Sequence, residues 1–140
     1  MKQLKIWVLI LSLYLGTTVA LAQDNQAEEQ ARQAVLAWLA LVDSENYDQS
    51  WTESAAYFRT AVTRASWAQI LKSVRQPLGK VISRKVRSAI HATTMPGAPD
   101  GEYFIIGVET SFEKKRSTME TVTPMLDKDG IWRVSGYYIR

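Results

Sequence analysis

Residues 102–113 read EYFIIGVETSFE, and one set of alternate positions in this stretch is almost entirely apolar. Those positions are Phe104, Ile106, Val108, Thr110 and Phe112. Successive side chains of a β-strand point to opposite faces, so the alternation predicts a long strand with one buried face. Such a strand needs a sheet around it and a second layer that covers the apolar face.

Two more strands are predicted near the carboxyl end. Residues 131–139 are rich in aromatic and branched side chains, and the preceding Asp-Lys-Asp-Gly sequence at 127–130 is typical of a hairpin turn. We expect this strand to pair with residues 118–126. Pro124 has no amide hydrogen to donate, which indicates a bulge or an exposed edge at that point.

The segment 80–93 fits two structures. Its apolar residues suit a basic amphipathic helix about as well as a strand. As a helix carrying Lys80, Arg84, Lys85 and Arg87, it would lie on an anionic membrane. As a strand it would complete a four-stranded antiparallel sheet. We favour the strand, because a sheet with fewer strands would be marginally stable.

Three helices are predicted before the sheet. Apolar residues recur at helical spacing over 27–43, with the helix ending near Asp43, and over a shorter segment, 47–58. Ser66 with Gln69 three residues later is a capping-box pattern, which predicts a third helix over about 67–76. The sequence therefore predicts an α+β fold, with three N-terminal helices packed on one face of a curved four-stranded antiparallel sheet.

The amino-terminal residues 1–22 have the pattern of a secretory signal peptide. Lys2 and Lys5 precede an apolar run, and the segment ends in Ala20-Leu21-Ala22. A membrane anchor would need about twenty uninterrupted apolar residues, and polar or small residues break this run early. We expect cleavage near Ala22, a periplasmic or secreted protein, and a single domain over 23–140 without an integral membrane segment.

The amino-acid composition excludes several kinds of partner and of catalytic or metal site. Loss of Lys2 and Lys5 with the signal leaves 15 basic residues against 14 acidic ones, so the mature chain is nearly neutral although the whole chain carries +3. A balance so even predicts no general attraction to nucleic acid. The sequence contains no cysteine, which excludes disulfides, thiolate catalysis, cysteine-ligated zinc and a lipid-modified N-terminal cysteine.

Several short motifs in the mature chain resemble one family. They are Trp38-Leu39 with Val42-Asp43, Tyr47 with Ser50-Trp51, Trp67, Arg75-Gln76-Pro77-Leu78-Gly79, Pro96-Gly97 with Pro99-Asp100-Gly101-Glu102-Tyr103, Glu120-Thr121-Val122-Thr123, and Asp129-Gly130 before Trp132-Arg133-Val134-Ser135-Gly136-Tyr137-Tyr138. In this order from Ala27 to Arg140 the chain resembles the bacterial family called domain of unknown function 4019. The resemblance implies a small exported protein without an assigned activity, and it transfers no catalytic residue.

The element order also resembles the cone-shaped folds of the nuclear transport factor 2-like and cystatin-like kinds. Members of the first kind often hold a cavity between helices and sheet, with varied chemistry or none. Fold alone therefore does not decide function.

Few residues suit an enzyme. The weak candidates for a base are Asp43, at the predicted helix end, and His91, the single histidine. The alternatives are that Asp43 organises the turn between helices and that His91 is an ordinary strand residue. No Gly-x-Ser-x-Gly turn, metal-ligand pattern or phosphate-binding glycine loop is present, so we predict no metal and no cofactor.

The charges are unevenly distributed along the chain. Residues 57–90 hold eight basic groups and no acid, whereas residues 23–56 hold one basic group and seven acids. These blocks either pair within the fold, helix one against helix three or the first strand, or leave an exposed basic face. In the second case Arg75, Arg84 and Arg87 would bind a protein or an anionic envelope component.

Aromatic residues on the helices suggest a second kind of binding site. Trp38, Trp51 and Tyr57 either pack in the core or line a ligand pocket. From these patterns we predict an exported, non-catalytic binding or interaction module. The alternative is a small-cavity enzyme of the isomerase, dehydratase or hydrolase type that uses Asp43 or His91 as base. The oligomeric state is left open.

Overall fold

A computed structural model describes the backbone of residues 4–140 and the side chains from Val19 onward. Lys2 and the side chains of residues 1–18, most of the predicted signal peptide, therefore lie outside the described residues. The helices are α1 (Leu4–Asp43), α2 (Tyr47–Thr52), α3 (Ala56–Ala61) and α4 (Arg64–Arg75), with a 3₁₀ turn at Gln76–Leu78; the strands are β1 (Val81–Ala92), β2 (Tyr103–Phe112), β3 (Thr118–Leu126) and β4 (Trp132–Ile139). Helices packed against a four-stranded antiparallel sheet confirm the predicted α+β class.

The sheet is a meander in the order β1-β2-β3-β4. All five alternating residues of β2, from Phe104 to Phe112, are buried, as the opening pattern predicts. Residues 81–92 form β1 and pair with β2 in antiparallel register, which confirms the strand and not the amphipathic helix. Strands that are consecutive in the chain are also neighbours in the sheet, so the whole sheet is built from pairings of successive strands.

The bulge predicted at Pro124 is present. The register between β3 and β4 shifts between Thr123 and Pro124, where the missing amide hydrogen interrupts the ladder. The alternative, an exposed edge, does not apply, because β3 lies between β2 and β4.

The first helix ends at Asp43, as predicted, but begins well before residue 27 and continues through the expected cleavage point. Its inward side chains include Val35, Trp38, Leu39 and Val42, all buried in the main core. Among the described side chains of α1, the first in the core are Ala27 and Ala31, of which Ala27 is partly buried. Within the described part of the chain, no helix is long and apolar enough to cross a membrane.

The predicted single helix over 47–58 is wrong: α2 and α3 are separate helices. Between them Ala55 adopts an extended conformation, and its amide donates to the carbonyl of Val134 in β4, at 2.8 Å. The hydroxyl of Ser54 accepts from the Trp38 indole, at 3.1 Å. The chain leaves the helix at this point because these groups bond to β4 and α1, which residue spacing alone does not reveal.

The start of α4 also differs from the prediction. Thr63, not Ser66, is the capping residue, because its extended backbone lets its hydroxyl oxygen accept from the Ser66 amide, at 3.2 Å. Ser66 is the third residue inside the helix. The helix ends at Arg75, followed by the 3₁₀ turn and Gly79, whose φ of +77° favours glycine.

Candidate functional site

Four charged side chains from four elements meet where the end of α1 reaches the sheet. They are Asp43, the last residue of α1, Arg75, the last of α4, Arg84 of β1 and Glu120 of β3, and we call them the charge cluster. Arg84 has a 13 % exposed side chain, and Glu120 is completely buried. Two cations and two carboxylates balance one another, and Asp43, with 25 % of its side chain exposed, is the most accessible of the four.

Both arginines bind the carboxylate of Asp43. Arg84 donates to it twice, from Nη1 at 2.5 Å and from Nη2 at 3.0 Å, and Arg75 donates from Nη2 at 2.6 Å. The bidentate contact fixes the plane of the Arg84 guanidinium. Asp43 therefore joins α1 to both α4 and β1.

Glu120 is held from several directions. Its Oε2 accepts from Arg84 Nε and Nη2, at 3.1 and 3.0 Å, and from the hydroxyl of Thr110. Its Oε1 accepts from the phenol of Tyr137, at 2.6 Å. A fully buried carboxylate needs such partners because it has lost its hydration.

Arg75 is less completely satisfied. Only 6 % of its side chain is exposed, and its Cζ lies 4.9 Å from the centre of the Phe112 ring. Its Nη1 is 3.7 Å from Glu120 Oε1, too far for a hydrogen bond, and within the described chain neither Nε nor Nη1 has a partner.

Burial and the neighbouring charges together set the pKa values of the charge cluster. Burial raises the pKa of Asp43, but hydrogen bonds from Arg84 and Arg75 outweigh it and hold that pKa below its ordinary value. Burial lowers the pKa of each arginine, and the Asp43 and Glu120 carboxylates more than reverse this. Burial, followed by the charge of Glu120, raises the pKa of Tyr137 far above that of a free phenol. Asp43 is thus a weak base, because its ionised form is the one stabilised.

His91 lies elsewhere. It is half exposed on β1, its Nε2 lies 2.5 Å from a carboxylate oxygen of Glu102, and its ring packs 5.3 Å from Phe104. Neither of the two cavities described below includes it. The structure does not bring His91 and Asp43 together.

The three arginines named from the sequence all face carboxylates. Arg87 pairs with Glu109 on the neighbouring strand, and Arg75 and Arg84 belong to the charge cluster. They therefore do not form an unpaired basic face in the described chain. Instead, Asp43 pairs with Arg75 and Arg84, so an acid of the first helix is paired within the fold with the last helix and the first strand.

A groove of about 1020 Å³ opens between the helices and the sheet. Its apolar walls include Ala34, Ala37 and Trp38 of α1, Tyr57 of α3 and Trp132 of β4. The loop between β1 and β2 and the turn between β3 and β4 complete its mouth.

Of the three aromatic residues proposed for a pocket, two line this groove. Trp38 is 3 % exposed, with its indole bonded to Ser50 and Ser54, and Tyr57 donates to the carbonyl of Gly97. Trp51 does not line it. The Trp51 indole donates to the Val62 carbonyl, at 2.7 Å, and its ring lies beneath Arg64.

A smaller depression of about 370 Å³ lies beside the charge cluster. Asp43, Arg75, Tyr47, Lys80 and Glu113 are among its walls. Within the described part of the chain, no three potential ligand side chains come together to hold a metal ion.

The sequence patterns did not mark Glu120 as a site residue, nor Thr110 and Tyr137, which donate hydrogen bonds to it. One signal was available: Glu120 is an acid at an inward position of the predicted strand 118–126, in phase with Thr118 and Val122. A buried carboxylate at such a position requires cationic or hydrogen-bonding partners.

The fold and the charge cluster describe a small α+β domain with a partly buried ionic network and an open groove. A family described as "Protein of unknown function (DUF4019)" matches residues 34–137, and the chain belongs to that family. No curated protein and no solved structure matches the chain. The similarity in shape to nuclear transport factor 2-like and cystatin-like folds accordingly stays a prediction.

The lowered pKa of Asp43 makes its contribution to stability depend on pH. A carboxyl whose pKa is lower when folded stabilises fully above its unfolded pKa and loses that effect as pH falls through the folded value. We expect Asp43→Asn to lower the free energy of unfolding by about 2–3 kcal/mol at neutral pH, because both arginines lose a charged partner.

Urea unfolding from neutral pH down to about pH 2 tests this, since the difference from the unmodified chain should shrink below about pH 4. The exposed residue Asp24 provides the matched control, and Asp24→Asn should show no comparable change. A difference for Asp43→Asn that stays constant down to the lowest pH would contradict the assignment.

Proposed function

We propose that this protein is an exported, non-catalytic binding module whose ligand occupies the groove between the helices and the sheet. The observation that carries the proposal is the groove itself, about 1020 Å³ with aromatic and small apolar walls. Concave, mainly apolar sites of about this size are where proteins commonly bind small molecules.

Export is supported by the signal-like residues 1–22 and by the position of the core. Val19 and Leu21 are 59 % and 65 % exposed, and from Val19 onward the first contact of α1 with the core comes at Ala27. Cleavage after Ala22 would therefore remove no core side chain among the described residues.

The charge cluster argues against the alternative of a small-cavity enzyme. A general base must be ready to accept a proton near the operating pH, and the two arginines make Asp43 less able to do so. His91 is half exposed and lies outside the groove. Neither candidate base lines the groove.

The mouth of the groove suggests the chemistry of the ligand. Four carboxylates and three cations line it. Asp127 and Asp129 are both paired with Arg133. In the described chain Arg59 and Lys128 have no ion pair, and neither have Glu53 and Asp100, so four carboxylates against three cations leave the lining with one net negative charge. An apolar ligand with a cationic end would bury its apolar part against Trp132 and meet Glu53 and Asp100.

Octyltrimethylammonium, below its micelle concentration, is a suitable probe. We expect it to shift the amide and indole NMR signals of Trp132 and to bind about tenfold more tightly than octanoate, which has a similar chain and the opposite charge. Ala37→Trp should abolish the shifts by filling the groove, whereas Leu36→Trp, one position along α1 and outside the groove, should not.

Equal binding of both amphiphiles would contradict the proposal that the ligand has a cationic end. Unchanged Trp132 shifts in the Ala37→Trp variant would show that the probe does not bind in the groove.

Export has its own test. Expressed with its own amino terminus in a Gram-negative host, the protein in the periplasmic fraction should have the intact mass of residues 23–140. Ala22→Tyr, at an exposed position, should leave the chain uncleaved because the large ring does not suit the cleavage site. A full-length chain in the cytoplasmic fraction would contradict export, whatever the groove binds.

A further inference from the structure

The strand register brings four chain segments together at one end of the sheet. Val81 at the start of β1 pairs with Phe112 at the end of β2, Thr118 at the start of β3 pairs with Thr110, and Ile139 at the end of β4 pairs with Glu120. The segments that flank these strand ends must therefore be neighbours.

Five cationic residues occupy this end, and we call them the basic end: Lys80, Lys114, Lys115, Arg116 and Arg140. Backbone hydrogen bonds join their segments. The Glu113 amide donates to the Lys80 carbonyl at 2.9 Å, the Phe112 amide to the Lys115 carbonyl at 2.8 Å, and the Arg140 amide to the Met119 carbonyl at 3.0 Å.

These cations differ from the buried arginines in having no carboxylate partner. All five are exposed, and none forms an ion pair within the described chain, in contrast to Arg75, Arg84, Arg87 and Arg133. Glu113 is the acid within the same turn. Of these five cations, only Lys80 belongs to the basic block 57–90 that first suggested a basic face.

Exposed apolar side chains accompany the basic end. Ile82, two residues after Lys80, is 64 % exposed, Tyr138 is 50 % exposed and Met119 is 39 % exposed. The guanidinium carbon of Arg140 lies 5.2 Å from the centre of the Tyr138 ring. Flexible cations beside exposed apolar groups are typical of surfaces that rest on anionic bilayers, where cations meet phosphates and apolar tips enter the acyl boundary.

The opposite end of the sheet carries the opposite charge. Asp100 and Glu102 precede β2 there, and Asp127 and Asp129 lie in the turn before β4, so four acids outnumber the two cations of that end, Lys128 and Arg133. This separation of charge would turn the basic end toward an anionic surface and the mouth of the groove away from it. A ligand could then enter the groove from the solvent side.

We propose that the basic end docks this protein on a bilayer containing anionic phospholipid. A soluble polyanion such as a polysaccharide would also attract the cations but would give Ile82, Met119 and Tyr138 no apolar partner. The docking does not depend on a ligand in the groove, so either proposal can fail alone.

Co-sedimentation of the purified protein with vesicles tests the docking. We expect binding to equimolar phosphatidylcholine and phosphatidylglycerol, little binding to phosphatidylcholine alone, and weaker binding as salt rises. Each basic residue near such a surface contributes roughly a fivefold factor, so Lys114→Gln with Lys115→Gln should lower the partition coefficient roughly 25-fold.

The matched control is Arg64→Gln with Lys128→Gln, which removes the same charge from exposed positions away from the basic end. It should bind almost as well as the unmodified protein. Ile82→Asn, which leaves every charge in place, should also weaken vesicle binding. Circular dichroism would establish that each variant is folded.

Three outcomes would overturn the proposal. They are equal binding to both kinds of vesicle, equal losses in the two double variants, and retention on immobilised heparin through Lys114 and Lys115 without vesicle binding. The last outcome would assign the basic end to a polysaccharide.

Discussion

The fold depends on the burial of one carboxylate, that of Glu120, in the middle of the sheet. A buried charge of this kind is costly unless it is paired and hydrogen-bonded, and here Arg84 and Tyr137 supply the bonds. Arg84 in turn holds Asp43, which also binds Arg75. Because these groups come from β3, β1, α1 and α4, satisfying Glu120 fixes where the ends of two helices meet the sheet. The surrounding apolar core supplies most of the burial, while the charge cluster specifies the arrangement.

The charge cluster shows that some cations are paired inside the fold, while others stay exposed to a partner. Arg75, Arg84 and Arg87 pair with carboxylates of the fold, so the number of basic residues along the chain overstates the positive charge that a partner meets. The groove and the basic end lie at opposite ends of the sheet, and each has a chemistry distinct from the charge cluster between them. This arrangement is consistent with a protein that binds at its surfaces and uses its buried ions for positioning.

Much of the fold followed from local patterns. The alternation in β2, the hairpin turn before β4 and the missing amide of Pro124 are properties of neighbouring residues, and the sequence predicted them. The split between α2 and α3 was missed because it depends on Ala55 bonding to a strand almost eighty residues away. For the charge cluster, sequence indicated that opposed blocks of charge could pair, but the identity of Glu120 as the buried partner required the register of β3. The basic end was missed for a similar reason, since only strand pairing brings Lys80 and Arg140 beside the consecutive Lys114, Lys115 and Arg116.

The most direct test is a double-mutant cycle of Asp43→Asn and Glu120→Gln, measured by urea unfolding at neutral pH. The two carboxylates share Arg84, so once either is neutralised the network opens and the second substitution should cost less. We predict that the double variant loses at least about 1 kcal/mol less stability than the sum of the single losses. Losses that add to within about 0.5 kcal/mol would show that the carboxylates act independently, which would contradict a single network as the basis of the fold.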